Sequence, residues 1–285
     1  MQLRDDLPAA HVGVLSRSQI LTAGGTDREI RLAVAAGTIR RLRAGWYAWP
    51  TAEPDVVRAI AAGGVVSCVT ALAVLGVWVP ADGRVHLRRS RRLRGPGVAA
   101  GLSACDLSHR RSARTTSAVD GVLDALAAAA GCLASDMLTV VIDSVLHLGL
   151  ATRDELEQLW AHAPRAVRRA LDAADGTAES GTETLVRLRL LRLGLSVEPQ
   201  VWIGRKRVDF LLGERLIIEV DSRAWHLDAQ AYERDRERDR QLAALGYHVI
   251  RLTYSQVLDD WASVEADILA IVSRGDHLRD AAVAA

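Results

Sequence analysis

The chain has 285 residues, of which 49% are hydrophobic and 25% are charged, a balance typical of soluble globular proteins that excludes a disordered chain. This length suits about two domains of roughly 150 residues. The formal net charge of +1 excludes nucleic-acid binding through the bulk field, so any such binding must depend on local patches.

The cysteines indicate a reducing compartment. Cys68, Cys105 and Cys132 are odd in number, widely spaced and outside any CxxC motif. We therefore expect neither a disulfide framework nor a zinc site, and a cytoplasmic location. The N-terminus lacks an apolar signal core, and the most apolar run, residues 65–80, is short for a membrane span. We expect a core helix there and no membrane partner.

Residues 1–54 have the pattern of a winged helix-turn-helix. Two S/T-x-x-E/Q capping boxes, beginning at Ser16 and Thr26, each predict a short helix. Residues 39–49 then read as strand, turn and strand. Arginines on the second helix and on the hairpin would contact phosphates: Arg28, Arg31, Arg40 and Arg41. The alternative is a small helical cap with solvated arginines.

This N-terminal pattern also resembles a known module. A pair of small helices followed by RRLRAGWYAWP, over residues 14–50, is similar to the N-terminal winged-helix domain of AbiEi-type antitoxins. The resemblance implies either a DNA-binding or a protein-contact module.

Residues 55–174 form a helical and basic middle region. A strand is expected at residues 84–87, and helices at 119–150 and 152–171. Several arginines follow this strand closely. A cluster of positive charges is unfavourable without a negatively charged partner, so the pattern favours a surface that contacts phosphate over a solvated loop. The residues predicted to contact DNA here are Arg88, Arg89, Arg91 and Arg92.

Residues 175–285 predict a mixed sheet flanked by helices. A capping box formed by Ser180 and Glu183 begins the first helix. The expected strands are 196–203, 207–212, 215–221 and 247–252, and the later helices are 232–245 and 254–272. The second and third strands must pair antiparallel across a tight turn. The helix after them makes a right-handed crossover to a parallel neighbour.

Three acids interrupt this otherwise apolar hairpin. Asp209 lies in its first strand, and Glu219 and Asp221 lie near the end of the second. A buried carboxylate without a partner costs several kcal/mol, so we expect a divalent cation. Hard oxygen ligands select Mg²⁺ or Mn²⁺, held by Asp209, Glu219 and the Val220 carbonyl. Glu183 or Asp221 would complete the shell or hold an outer water.

The element order and these acids resemble the PD-(D/E)XK nuclease superfamily, and within it the small family related to Vsr mismatch endonucleases. The resemblance covers about the last hundred residues and includes Glu183, Asp209-Phe210, Ile218-Glu219-Val220-Asp221, Trp225-His226, Tyr232, Asp235, Asp239-Arg240, Leu245-Gly246-Tyr247 and Arg251-Leu252-Thr253. It implies a restriction-endonuclease-like fold.

The chain departs from that family at two places. Asp221 stands where the superfamily has its catalytic lysine, and the Trp-His-His run is reduced to Trp225-His226. With the lysine absent, His226 is the predicted general base or acid, because its ordinary pKa is near physiological pH; the alternative is a surface histidine. Trp225 would stack on a base or anchor the core. Arg236 and Arg240 would face phosphate or belong to a solvated helix.

Together these features predict a metal-dependent DNA endonuclease that hydrolyses phosphodiester bonds in repair or defence. The alternative is a non-catalytic DNA-binding regulator or antitoxin-like protein that retains a nuclease fold. The predicted partner is DNA, and the oligomeric state stays open, with a homodimer among the options.

Overall fold

The protein has a mixed α/β fold made of two compact units; in the described residues the first has two sheets and the second has one, each packed with helices. The computed structural model describes residues 12–89, 100–105, 117–221, 237 and 240–278. The first unit comprises Met1–Ala134 and Leu150–Val167, and the second comprises Ser135–Gly149 and Arg168–Ala285. Among the described residues, no helix has the length and apolar character needed to cross a membrane.

The start of the first unit is a helix pair followed by a hairpin. Its elements are β1 (Val14–Ser16), α1 (Arg17–Thr22), α2 (Asp27–Ala35), β2 (Arg40–Arg43) and β3 (Trp46–Ala48). Both predicted capping boxes are confirmed, at Ser16 and Thr26. The strand β1 was not predicted; it completes a sheet of order β1-β3-β2. The helices pack on this sheet through Ile20, Ile30 and Tyr47.

The rest of the first unit packs helices against a second sheet. Its elements are α3 (Pro54–Ala61), β4 (Gly64–Val66), α4 (Cys68–Val74), β5 (Val85–Arg89), β6 (Leu102–Cys105), α5 (Val122–Ala129) and α7 (Arg153–Trp160). The sheet order is β4-β5-β6, with β4 antiparallel and β6 parallel to β5. The apolar run 65–80 is therefore not one helix: its first residues form β4, because Gly64 lets this strand approach Leu87 and the Arg88 carbonyl closely.

The second unit contains the predicted mixed sheet. Its elements are α6 (Ser135–His147), α8 (Arg165–Asp172, beginning in the first unit), α9 (Gly181–Arg192), β7 (Val197–Ile203), β8 (Lys206–Leu212), β9 (Leu216–Val220), β10 (His248–Leu252), α10 (Tyr254–Asp259) and α11 (Trp261–Arg274). The sheet order is β10-β9-β8-β7. The antiparallel β8–β9 hairpin and the parallel β9–β10 pair are confirmed. The prediction of a single final helix is wrong, because the helix is interrupted at Asp260, which separates α10 from α11.

The structure describes the last turn of the helix that connects β9 to β10. Residues 240–244 are helical, as expected, and Leu242 is fully buried against Val208 and Ile217. This contact fixes the helix end against one face of the sheet.

A buried carboxylate joins two helices of this unit. Asp143 of α6 accepts hydrogen bonds from the backbone N–H groups of Asp175 (2.7 Å) and Gly176 (3.0 Å). Its other oxygen accepts from the Thr184 hydroxyl (2.8 Å) and from Arg187 (2.7 Å), both on α9. Asp143 thus holds the entry to α9, the helix that presents Glu183.

Candidate active site

Two acids of the β8–β9 hairpin, Asp209 and Glu219, lie next to each other on neighbouring strands of the sheet. The register pairs Phe210 with Ile218, and continuing it by one residue sets Asp209 opposite Glu219. Opposite residues of an antiparallel pair point to the same face. Asp209 Oδ2 also accepts a hydrogen bond of 2.8 Å from the Val220 N–H, so the carboxylate lies against the end of β9. Glu219 is 7% exposed.

Glu183 is held beside these acids by three hydrogen bonds. Glu183 Oε1 accepts from the Ser180 hydroxyl at 2.8 Å. Oε2 accepts from the Glu179 N–H at 3.0 Å and from Gln200 Nε2 at 3.1 Å. Burial raises the pKa of Glu183 above its ordinary value, and the charge of Asp209 adds to this rise. The predicted capping box is therefore modified: Ser180 caps the helix by accepting from the Glu183 N–H, but the Glu183 side chain accepts from the Glu179 N–H in place of the Ser180 N–H. Glu183 is also close enough to Asp209 for their charges to interact.

Gln200 is a site residue that the sequence reasoning missed. It lies in β7 between the pairs Pro199–Phe210 and Val201–Val208, at the position facing Asp209. Its φ of 55° is in the left-handed region, which is uncommon for a residue other than glycine. Gln200 Oε1 is buried and, among the described residues, has no hydrogen-bond partner. A local strain and a spare buried oxygen both occur next to the acids, and no sequence pattern would reveal them.

Arg251 is the second residue missed. It is paired in register with Glu219 across the parallel β9–β10 ladder, and its Nη2 lies 3.3 Å from Glu219 Oε2. The arginine places a permanent positive charge next to the carboxylates. Its identity as a partner could not be predicted, because the two residues are separated by the whole crossover.

The oxygen atoms around Asp209 and Glu219 are suitable ligands for a hard cation. The described oxygens comprise the carboxylates of Glu183, Asp209 and Glu219, and the spare Gln200 Oε1. Mg²⁺ is usually bound by one or two carboxylates together with several waters, so this set is sufficient. Nitrogen and sulfur ligands, which would favour a softer metal, are not part of the described set.

The other predicted catalytic and DNA-contacting residues of this unit remain predictions. Asp221 is half-buried, and its N–H donates to the Leu252 carbonyl at 2.8 Å, so the residue continues the β9–β10 pairing. Arg240 is exposed on the helical turn 240–244. The following residues lie outside the described part of the chain: Trp225, His226 and Arg236 of this unit, and Arg91 and Arg92 of the first unit.

Arg88 does not have the position that a phosphate contact needs. It is buried in β5, where Nε and Nη2 donate to the two carboxylate oxygens of Asp120 at 2.9 and 2.6 Å. The prediction that Arg88 faces DNA is corrected by this bidentate pair, because the guanidinium fork is turned inward and neutralised. Arg89, next in the strand, is half-buried and also has interactions within the protein.

The N-terminal arginines are more accessible. All four arginines predicted to contact DNA are exposed: Arg28 and Arg31 on α2, and Arg40 and Arg41 on β2. Arg43 differs, because it donates to the Gly63 and Gly64 carbonyls and lies 5.5 Å from the Trp46 ring centroid. It therefore has a structural role within the first unit.

The three cysteines meet, contrary to the expectation from their spacing. The Cys/His group comprises Cys68, His86, Cys105 and Cys132, whose ligand atoms all lie within 4.8 Å of one another. Distant positions meet because β5 and β6 pair in parallel, which brings Cys105 near His86, and because α4, which begins at Cys68, packs against α5, which Cys132 follows. Hydrogen bonds with the Cys132 and Cys68 sulfurs raise the pKa of His86 to about 10.

Comparisons with known proteins give a family-model match in the C-terminal part of the chain, two relatives and one solved structure. Residues 183–272 match the restriction-endonuclease-like family model REase_MTES_1575. Two uncharacterized proteins of Mycobacterium tuberculosis, from strains CDC 1551 and H37Rv, are each 27% identical over 287 residues, covering 91% of this chain and 99% of theirs. The catalytic domain of the homing endonuclease I-Bth0305I covers 32% of this chain and 94% of its own, with 24% identity and a TM-score of 0.29.

Proposed function

Starting from the restriction-endonuclease-like match of residues 183–272, we propose that the protein is a metal-dependent DNA endonuclease. The observation that supports this most is the meeting of Asp209 and Glu219 on one face of the sheet, with the buried Glu183 beside them. Neighbouring carboxylates repel one another, which a divalent cation offsets, and a phosphodiester substrate needs the same charge offset.

Asp209 and Glu219 would hold the cation, with the Val220 carbonyl as a third ligand. Mg²⁺ or Mn²⁺ supplies charge neutralisation at phosphorus and a more acidic water. The Val220 N–H orients Asp209 through the 2.8 Å hydrogen bond, so the carboxylate is already fixed in place. Such pre-orientation lowers the cost of assembling the site.

The neighbouring residues position the acids. Gln200 holds the Glu183 carboxylate through Nε2 and leaves its own oxygen available. Arg251 orients Glu219 and supplies positive charge where the phosphate would enter. We assign Asp221 and His226 to the proton transfer, the role that the lysine has in the superfamily the chain resembles.

The direct test is cleavage of DNA with and without a divalent cation. We expect supercoiled plasmid or single-stranded DNA to be nicked or degraded with Mg²⁺ or Mn²⁺, and not after the cation is withdrawn. The cation should be withdrawn by dialysis against metal-free buffer. RNA of matched sequence tests the nucleic acid specificity.

Two results would contradict the proposal. One is the absence of cleavage on every substrate at any cation concentration, which would favour a non-catalytic DNA-binding protein. The other is equal cleavage without a divalent cation.

We further propose that residues 1–54 bind DNA through the exposed arginines of β2. The double substitution Arg40→Ala with Arg41→Ala should lower the slope of log K against log salt by about 0.9 for each phosphate that is no longer neutralised. The measurement is a binding series by fluorescence anisotropy at several salt concentrations. The matched control is Arg165→Ala with Arg168→Ala, an exposed pair on α8, whose slope should equal that of the wild type. Equal slopes in both pairs would contradict the assignment.

A further inference from the structure

The Cys/His group draws one ligand atom from each of four separate places in the first unit. Cys68 begins α4, His86 lies in β5, Cys105 ends β6, and Cys132 follows α5. Three of the four side chains are buried, and Cys132 is exposed. The Cys105 sulfur lies 3.3 Å from His86 Nδ1 and 3.4 Å from the Cys132 sulfur.

These separations suit a single metal ion of tetrahedral geometry. With Zn–S bonds of about 2.3 Å and Zn–N bonds of about 2.0–2.1 Å, the ligand atoms of a tetrahedron lie about 3.5–3.8 Å apart. The observed 3.3 Å, 3.4 Å and the 4.8 Å upper limit bracket that range. Three sulfurs and one imidazole nitrogen form one of the usual donor sets of structural zinc.

Asp82 orients the histidine in the way that metal sites require. His86 Nε2 and Asp82 Oδ2 are 2.6 Å apart, so the carboxylate holds the nitrogen that faces away from the sulfurs. The other ring nitrogen, Nδ1, then faces the group, 3.3 Å from the Cys105 sulfur. Metal-bound histidines almost always have such a carboxylate or carbonyl partner on their second nitrogen.

The backbone fixes Cys68 and His86 relative to each other. The Ser67 N–H donates to the His86 carbonyl at 3.0 Å, and the His86 N–H donates to the Thr70 hydroxyl at 2.8 Å. Cys68 has a φ of 53°, in the left-handed region that L residues avoid. An unfavourable backbone at a buried cysteine indicates that the direction of its sulfur matters.

We propose that the Cys/His group binds one Zn²⁺ as a structural site. Four protein ligands close the coordination sphere, so no position is left for a substrate. The ion links α4, β5, β6 and the end of α5, and its binding energy becomes folding energy of the first unit. The site lies outside residues 183–272 and is independent of the proposed nuclease chemistry.

The test measures the metal content of the full chain. We expect about one zinc per chain after dialysis against metal-free buffer, and unchanged zinc in Asp209→Asn. Cys132→Ser should lose most of the zinc, because it removes an exposed ligand with little disturbance of the core. The control His147→Gln, which changes an exposed histidine at the end of α6, should retain it.

Cobalt substitution of the wild type gives a second readout that does not depend on a variant folding. We expect the sulfur-to-cobalt charge-transfer band and the strong visible bands of tetrahedral Co²⁺. Three results would each overturn the proposal. They are the absence of zinc from the purified chain, a disulfide between Cys105 and Cys132 in the purified protein, and Co²⁺ spectra typical of octahedral coordination.

Asp82 should act as a positioning residue. Asp82→Ala is expected to weaken zinc binding by about 10–100-fold while the stoichiometry at saturating zinc stays at one, because all four ligands remain. A competition titration with a chromophoric chelator measures this affinity. An affinity equal to that of the wild type would remove Asp82 from the site.

Discussion

Asp209→Asn is expected to lower the rate of DNA cleavage by about 10²–10³-fold, because a carboxylate ligand of the cation contributes several kcal/mol and each 1.4 kcal/mol is tenfold in rate. The amide retains an oxygen that can accept from the Val220 N–H, so the β8–β9 hairpin should stay intact. The loss should therefore appear in kcat and in the Mg²⁺ concentration that gives half-maximal rate, and not in the thermal midpoint.

Glu198→Gln is the matched control. Glu198 is an exposed acid on β7 in the same sheet, paired in register with Leu211, and its variant should cleave DNA like the wild type. Single-turnover cleavage over a Mg²⁺ series measures both variants. If Asp209→Asn retains more than about a tenth of the rate at saturating Mg²⁺, Asp209 does not bind the cation on which cleavage depends.

The elements that could be predicted are those encoded by neighbouring residues. The N-cap at Ser180 defines the start of α9, and the β-branched run ending at Val220 defines β9 as a buried strand. The acids of the hairpin were recognisable because a carboxylate inside an apolar strand conflicts with its surroundings. In each case the relevant partners lie within a few positions along the chain.

The features that were missed depend on partners far apart in sequence. Arg88 was assigned to DNA because arginines cluster around it, yet its partner Asp120 is 32 residues away and buried with it. The Cys/His group was missed for the same reason, because its members come from different elements and no short motif joins them. Gln200 was overlooked because its backbone strain and its spare oxygen exist only in the folded sheet.

Asp143 is the most consequential of the missed residues. It lies one helical turn before His147, a spacing that on its own indicates only an ordinary Asp/His pair. In the structure Asp143 is 1% exposed, and His147 is exposed. Asp143 is instead joined to Arg187, with a side-chain exposure of 9%, and to a hydroxyl and two backbone N–H groups.

Asp143→Ala should destabilise the second unit by about 3–5 kcal/mol, the cost of breaking a buried ion pair by removing one partner. In the variant the buried Arg187 guanidinium keeps its ion pair with the partly exposed Asp175, whose Oδ2 lies 3.3 Å from Arg187 Nε. It also leaves the Asp175 and Gly176 N–H groups without their acceptor. Urea denaturation, followed by circular dichroism, measures the shift in midpoint.

Asp172→Ala, which changes an exposed aspartate on α8, is the control and should change the unfolding free energy by less than about 0.5 kcal/mol. Asp143→Leu combined with Arg187→Met should be less harmful than Asp143→Ala alone, since it removes both charges together. Because α9 presents Glu183, Asp143→Ala should also reduce cleavage at temperatures where the unit is partly unfolded. A shift in midpoint no larger than that of Asp172→Ala would show that the buried network does not stabilise the unit.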